Sequence, residues 1–172
     1  AYTIKNCTNS GDITLSSAHT GWCGLAGITG GYGTSYGAVS DCSNSGDLFY
    51  TGEITGNKVT YIGGVIALAI QGQALSNLTN TGVITYTGDG RKGSTTNNSV
   101  DIGGIAGRVT NVTFTGTMTN GERLKDGTFS TNIKMAGKFT KTNLGGIAGY
   151  VTAGKVEPTK IGAYGKVLVE SA

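Results

Sequence analysis

The chemistry available to this chain rests on few residues. His19 is the only histidine, so a Ser–His–Asp arrangement would have to use it. It lies in Ser16-Ser17-Ala18-His19-Thr20-Gly21, a loop composition with no nucleophile-elbow spacing. Asp12 and Asp47 each close an Asn-Ser-Gly-Asp element, at Asn9–Asp12 and Asn44–Asp47. Were those elements to stack, the two carboxyl groups would lie about 5 Å apart, the spacing of a retaining glycosidase pair. Such a pair would also attract a Ca²⁺ ion. Asp after such a turn is equally favoured for conformational reasons, and that reading is adopted. The three cysteines are Cys7, Cys23 and Cys42. If Cys7 and Cys42 stack, their Cα atoms fall within the disulfide window of about 4.4–6.8 Å. The other reading is two buried thiols acting as small hydrophobes. With no Cys-x-x-Cys and one histidine, a zinc site is not expected, and no cofactor or catalytic residue is assigned. The sequons at Asn6, Asn77, Asn97 and Asn111 follow from composition.

Composition narrows the class. Gly, Thr, Ser and Asn supply 81 of 172 residues, and only one proline is present. All four are weak helix formers, so a helical protein is excluded. Charged residues are 13%, against about 25% in average domains. A net charge of +3 gives no basic stripe for nucleic acid. No apolar run approaches the roughly 20 residues of a membrane span.

The elements that must position these residues repeat. A glycine-rich apolar segment occurs at Trp22–Gly27, Ile62–Ala67, Ile102–Gly107 and Leu144–Gly149, with starts 40, 40 and 42 residues apart. A second signature, Asn6–Ile13, returns at Asp41–Leu48, at Asn77–Ile84 and, more weakly, at Asn111–Met118. Between them, runs of Thr, Val, Ile, Tyr and Phe are bounded by Gly and Asn, which is strand patterning. Such units stack to bury a common core. The pattern predicts an all-β, right-handed β-solenoid of about four coils built from 35–42-residue repeats. A propeller with one repeat per blade is the competitor. Stacking predicts an inward ladder of Cys7, Cys42, Leu78 and Val112. It also predicts an Asn ladder of Asn9, Asn44 and Asn80, with Gly11, Gly46, Gly82 and Gly116 supplying positive φ. A glycine ladder of Gly24, Gly64, Gly104 and Gly146 would mark close approach of another backbone.

Gly-Leu-Ala-Gly at 24–27 and Gly-Ile-Ala-Gly at 104–107 and 146–149 resemble the GLUG motif of bacterial surface proteins. So does the upstream Asn-x-Gly-x-Ile element. The resemblance covers roughly residues 3–152; copy one departs at Cys23 and copy two at Ala67. It implies an extracellular repeat protein, similar to adhesins and to parts of secreted peptidases.

The organisation expected is a repeat domain over 1–154, with insertions at 88–101 (holding Arg91, Lys92 and Asn97-Asn98) and 120–141. Residues 155–172 would form a C-terminal cap or the start of a next module. The abrupt N-terminus suggests a piece of a longer exported protein. The glycine-rich segment, taken as one strand, is apolar on both faces. Trp22, Ile62, Ile102 and Leu144 then form a candidate docking face for a neighbouring module, another copy or another protein, unless the insertions cover it. The function expected is a non-catalytic adhesion or scaffolding module at a bacterial cell surface, working through protein or glycan contacts. The alternative is a carbohydrate-active β-helix enzyme resembling a polysaccharide lyase or glycosidase.

Overall fold

Short β-branched runs separated by glycine and asparagine form strands that return to the same place once per repeat. The computed structural model describes residues 3–31, 37–55, 59–89, 99–138 and 141–170. The first layer holds β1 (Thr3–Lys5), β2 (Thr8–Asn9) and β3 (Ile13–Leu15). The second holds β4 (Cys23–Ala26), β5 (Ala38–Asn44) and β6 (Leu48–Tyr50). The third holds β7 (Val59–Gly63), β8 (Ile66–Ile70), β9 (Ala74–Asn80) and β10 (Ile84–Tyr86). The fourth holds β11 (Ser99–Gly103), β12 (Ala106–Asn120) and β13 (Thr131–Met135). The fifth holds β14 (Lys141–Gly145), β15 (Ala148–Ala163) and β16 (Lys166–Val169).

These strands make three sheets, in the orders β1-β5-β9-β12-β15, β3-β6-β10-β13-β16 and β4-β7-β11-β14, with β2 and β8 joining the first. Every strand pairing is parallel and joins consecutive layers. The chain is therefore all-β with parallel sheets. Equivalent residues sit side by side: Val65 N–H donates to Ile105 and Ile105 N–H to Ile147. A propeller, which would spread them around an axis, does not fit. The interior between the sheets is filled by Val39, Leu75, Val109, Phe114 and Met118 on one side. On the other side lie Leu48, Ile84, Ile102, Ile133 and the stacked pair Tyr50 and Tyr86, whose rings are 5.0 Å apart and 9° from parallel.

The asparagine column joins four layers. Asn9 Nδ2 donates to Asn44 Oδ1 (2.7 Å), Asn44 to Asn80 (2.8 Å) and Asn80 to Asn120 (2.9 Å). Each of the first three also donates to the carbonyl two residues on, at Gly11, Gly46 and Gly82. Asn120 therefore occupies the place that the weaker copy of the signature, counted from Asn111, gave to Phe114. The fifth layer presents Ala163 there, and the column stops.

Several registers differ from those read in the sequence. Leu78 pairs with Met118, not Val112, because β12 shifts register between Thr115 and Met118. Gly116, at φ 66°, lies within that shift, and Val112 faces Gly154 instead. Left-handed backbone occurs at Asn6, Asp41, Asn77 and Gly116, while Gly11, Gly46 and Gly82 do not adopt it. Those glycines are small for another reason. A Cβ at Gly46 would lie 2.1 Å from the Gly11 oxygen, and one at Gly82 would lie 2.0 Å from the Gly46 oxygen.

The domain boundaries also move. The expected insertion at 120–141 contains β13, whose Ile133 and Met135 pair with Ile84 and Tyr86. The stretch between strands is Gly121–Ser130. In the expected insertion at 88–101, Asp89 bridges Glu53 and Lys138, and Ser99 begins β11. Arg91, Lys92, Asn97 and Asn98 lie outside the described residues. No break falls at 154/155, because β15 runs through it and β16 extends the second sheet.

The glycine column nearest the asparagines is Gly27, Gly64, Gly104 and Gly146; Gly24 is not part of it, since Gly24 pairs with Tyr61. A Cβ at Gly104 would lie 2.0 Å from Asn120 Cγ and 2.3 Å from the Gly146 oxygen. Gly104→Ala should therefore destabilise the fold by about 3 kcal/mol, the upper range for overpacking, because backbone cannot move aside. Urea denaturation followed by tryptophan fluorescence checks it; an unchanged midpoint contradicts the close contact.

Candidate functional site

The glycine-rich segment is a corner, not a strand. Gly103 ends β11, Gly104 and Ile105 bend, and Ala106 begins β12. The same bend separates β7 from β8 and β14 from β15. At Gly63, Gly103 and Gly145 a Cβ would lie 1.9 Å from the carbonyl oxygen of Ile66, Ala106 and Ala148. Across the arch, a Cβ at Gly107 would lie 2.7 Å from Ile62 N, and one at Gly149 would lie 2.6 Å from Ile102 N. The two arms of the arch thus touch backbone to backbone.

This geometry removes the proposed docking face. Alternation of faces does not hold across a bend, so both apolar ladders turn inward. Ile62 and Ile102 are 0% exposed and Leu144 is half-buried. Trp22 is 57% exposed, but it belongs to no ladder with them. Leu25 pairs with Ile62, three residues from the register that the Gly-Leu-Ala-Gly match suggested. Gly27, Ile28 and Thr29 then align with Gly64, Val65 and Ile66. What covers the outer side of β7 is the returning strand β8, with Tyr61, Ala67 and Leu68 forming a small core of their own.

Inside the arch lies a polar network that sequence reading passed over. Asp101 is fully buried. It accepts from Arg108 Nε at 2.5 Å and from Asn143 Nδ2 at 2.7 Å. The Arg108 guanidinium sits 5.1 Å from the Tyr61 ring centre and 4.6 Å from that of Tyr150. A charge pair this buried persists because both partners are hydrogen-bonded and the cation is also stacked. The available signal was a lone carboxylate in the apolar run Ser99–Gly103, with an arginine seven residues on.

Beside the network opens a bay of about 130 Å³, lined by Trp22, Cys23, Gly24, Gly30, Tyr61 and Leu68. It is below the roughly 300–1,000 Å³ of pockets that engulf a small molecule. It can seat one ring edge or one side chain. Burial pushes the Cys23 thiol up, which keeps it protonated and unreactive.

The other candidate residues serve the fold. Asp12 Oδ1 accepts the Asp47 N–H and Asp47 Oδ1 accepts the Val83 N–H, each at 2.8 Å. Each carboxylate thus caps the backbone of the next layer. Cys7, Cys23 and Cys42 are free thiols, and Cys42 Sγ donates to the Ser40 oxygen at 3.0 Å. His19 Nε2 lies 3.1 Å from the Tyr50 hydroxyl and 3.4 Å from Thr60 Oγ1. Burial pushes the Tyr50 phenol up to about 12, with the nearby Cys23 adding to it. Among the described residues, no group of three or more His, Cys, Asp or Glu side chains could hold a metal ion. No helix among them is long and apolar enough to cross a membrane. Comparisons of the chain with protein-family models, curated proteins and solved structures find no match.

His19 makes stability depend on pH. Burial lowers its pKa in the folded chain below the ordinary imidazole value, while the unfolded chain takes up the proton at that ordinary value, about 6.5. Its contribution is complete above that value and is lost as pH falls through the lower folded one. The urea midpoint should drop between about pH 7 and pH 5, and His19→Gln should flatten that slope. An equal slope in both proteins contradicts the assignment.

Proposed function

We propose that the chain is a right-handed β-solenoid, similar to GLUG-motif proteins, that acts as a non-catalytic adhesion or scaffolding module at a bacterial cell surface. The parallel pairing of each layer's strands with those of the next, in all three sheets, supports the solenoid. An inside filled by side chains leaves function to the outer surface.

The observation that carries the contact reading is the Trp22 bay. Tryptophan and tyrosine dominate contact energy at recognition surfaces, because they bring large rigid area and a polar tip. Here Trp22 is exposed at the rim and Tyr61 is fixed in the floor by Arg108. Arg108 is already matched by Asp101. The bay therefore suits an uncharged partner group: the apolar face of a sugar ring, or an aliphatic or aromatic side chain. A shallow site of this size supports holding a glycan or protein surface rather than processing it.

The experiment is a glycan and surface-protein binding screen with the native chain, repeated with Trp22→Ala. The native chain should bind at least one neutral glycan or surface protein. The variant should lose about tenfold or more in affinity, matching a contact worth more than 1.4 kcal/mol, with an unchanged melting curve. Binding that survives Trp22→Ala, or cleavage of the glycan, contradicts the reading.

A further inference from the structure

Packing inside the first sheet sets two thiols side by side. Lys5 pairs with Ser40 and Thr8 with Ser43, so Cys7 lies opposite Cys42 in the next layer. Each follows a left-handed residue, Asn6 at φ 57° and Asp41 at φ 54°, so the chain enters both positions by the same bend. The Ser43 N–H donates to the Cys7 oxygen at 2.9 Å, which holds the two backbones at strand spacing. Neighbouring strands stand about 4.8 Å apart, inside the Cα window of about 4.4–6.8 Å for a disulfide. Cys42 is buried, and its Sγ lies 3.0 Å from the Ser40 oxygen and 4.0 Å from the Ile4 oxygen of the first layer. Cys7 packs against the same core cluster. Burial pushes the Cys42 thiol up, and Cys7 stands close enough to bear on it too.

Size does not call for cysteine at this position. The same column continues as Leu78, Met118 and Ile161, so the space takes a large apolar side chain. Two cysteines on successive rungs give up that apolar area, and what they offer in return is a bond to each other. Cys23 is set apart from them: it pairs with Thr60 and packs against the other core cluster. The three free thiols thus divide into a pair and a single.

We propose that Cys7 and Cys42 are a modification site: they join as a disulfide, bonding the first layer to the second, when the chain meets a small-molecule disulfide as oxidant. One cysteine thiolate attacks that disulfide, forming a mixed disulfide and releasing one thiolate. The other cysteine, its proton lost to water, attacks the sulfur of the first and expels the second thiolate. The two protein thiols give up two electrons and two protons, and the oxidant leaves as two thiols. The new bond closes the chain from residue 7 to residue 42, which restrains the unfolded state and raises stability. It ties together layers otherwise joined by the short strands β1, β2 and β3.

Thiol counting after oxidation tests it. The folded native chain is incubated with oxidised and reduced glutathione at about pH 8, where thiolate is available, then quenched in acid and denatured. It should show one reactive thiol in place of three and should lose the mass of two hydrogens. Peptide mapping should place the link between Cys7 and Cys42. Cys23→Ser should lose two thiols in the same way, whereas Cys7→Ser should form no internal link. The oxidised native chain should melt about 5–10 °C above its reduced form, and dithiothreitol should reverse the gain. Cys7→Ser should melt alike under both conditions. The thiol count and the peptide map need no variant, so they decide the matter even if Cys7→Ser does not fold. Three free thiols after oxidation, a link through Cys23, or glutathione held on Cys7 or Cys42 with no internal bond overturns the proposal. So does an oxidised chain that melts no higher than the reduced one.

Discussion

Parallel backbone hydrogen bonding between successive layers, at the strand spacing of about 4.8 Å, is the constraint on which this structure depends. At that separation each side chain lies directly on its counterpart in the next repeat. A column can hold only residues that tolerate a near-copy of themselves. Aliphatic side chains and stacked tyrosines meet that condition inside, and asparagine meets it by donating to the next asparagine while also donating to a backbone carbonyl. Where even a methyl group would strike the neighbouring carbonyl, the column is glycine, as at Gly46 and Gly82. The large glycine content is thus a packing requirement more than a conformational one.

The same constraint explains how the glycine-rich corner works. Two arms of one repeat fold against each other so closely that Gly103 and Gly107 face backbone. The arch keeps both apolar ladders inside the chain and leaves its mouth to aromatic and polar residues. Arg108, held between Tyr61 and Tyr150 by Asp101, which also accepts from Asn143, fixes that mouth through three layers. The bay at Trp22 is the part of it that reaches solvent. Contact chemistry and fold stability therefore meet on adjacent residues: Tyr61 belongs to both.

Much of this was legible in the residues, because repeats announce themselves by spacing. The all-β class, the parallel layers and the first three asparagines of the column follow from two signatures of nearly constant offset. What was not legible was register. The Gly-Leu-Ala-Gly match at 24–27 drew the first copy three residues out of place, since Leu-Ala-Gly-Ile at 25–28 is also apolar and small, and the pairing of Leu25 with Ile62 decides between them. Asn111 and Asn77 both adopt left-handed backbone, so their local sequences look alike although they turn different bends. The bulge near Gly116 then moves Val112 away from Leu78 and brings Met118 to it. A bend also cancels strand alternation, which is why the face of Ile62 and Ile102 seemed outward. Asp101 and Arg108 recur at no repeat position, so only the lone carboxylate in an apolar run marked them, and their pairing joins different arms of the arch.

The asparagine column is a continuous relay through stacked layers, and side-chain amide hydrogen exchange by NMR reads that relay residue by residue. The Nδ2 protons of Asn44 and Asn80, each held by two acceptors and buried, should exchange only with global unfolding. Those of Asn9, at the open end of the column, should exchange far faster. Equal and rapid exchange at Asn9, Asn44 and Asn80 would contradict the stacked relay and, with it, the register of the layers.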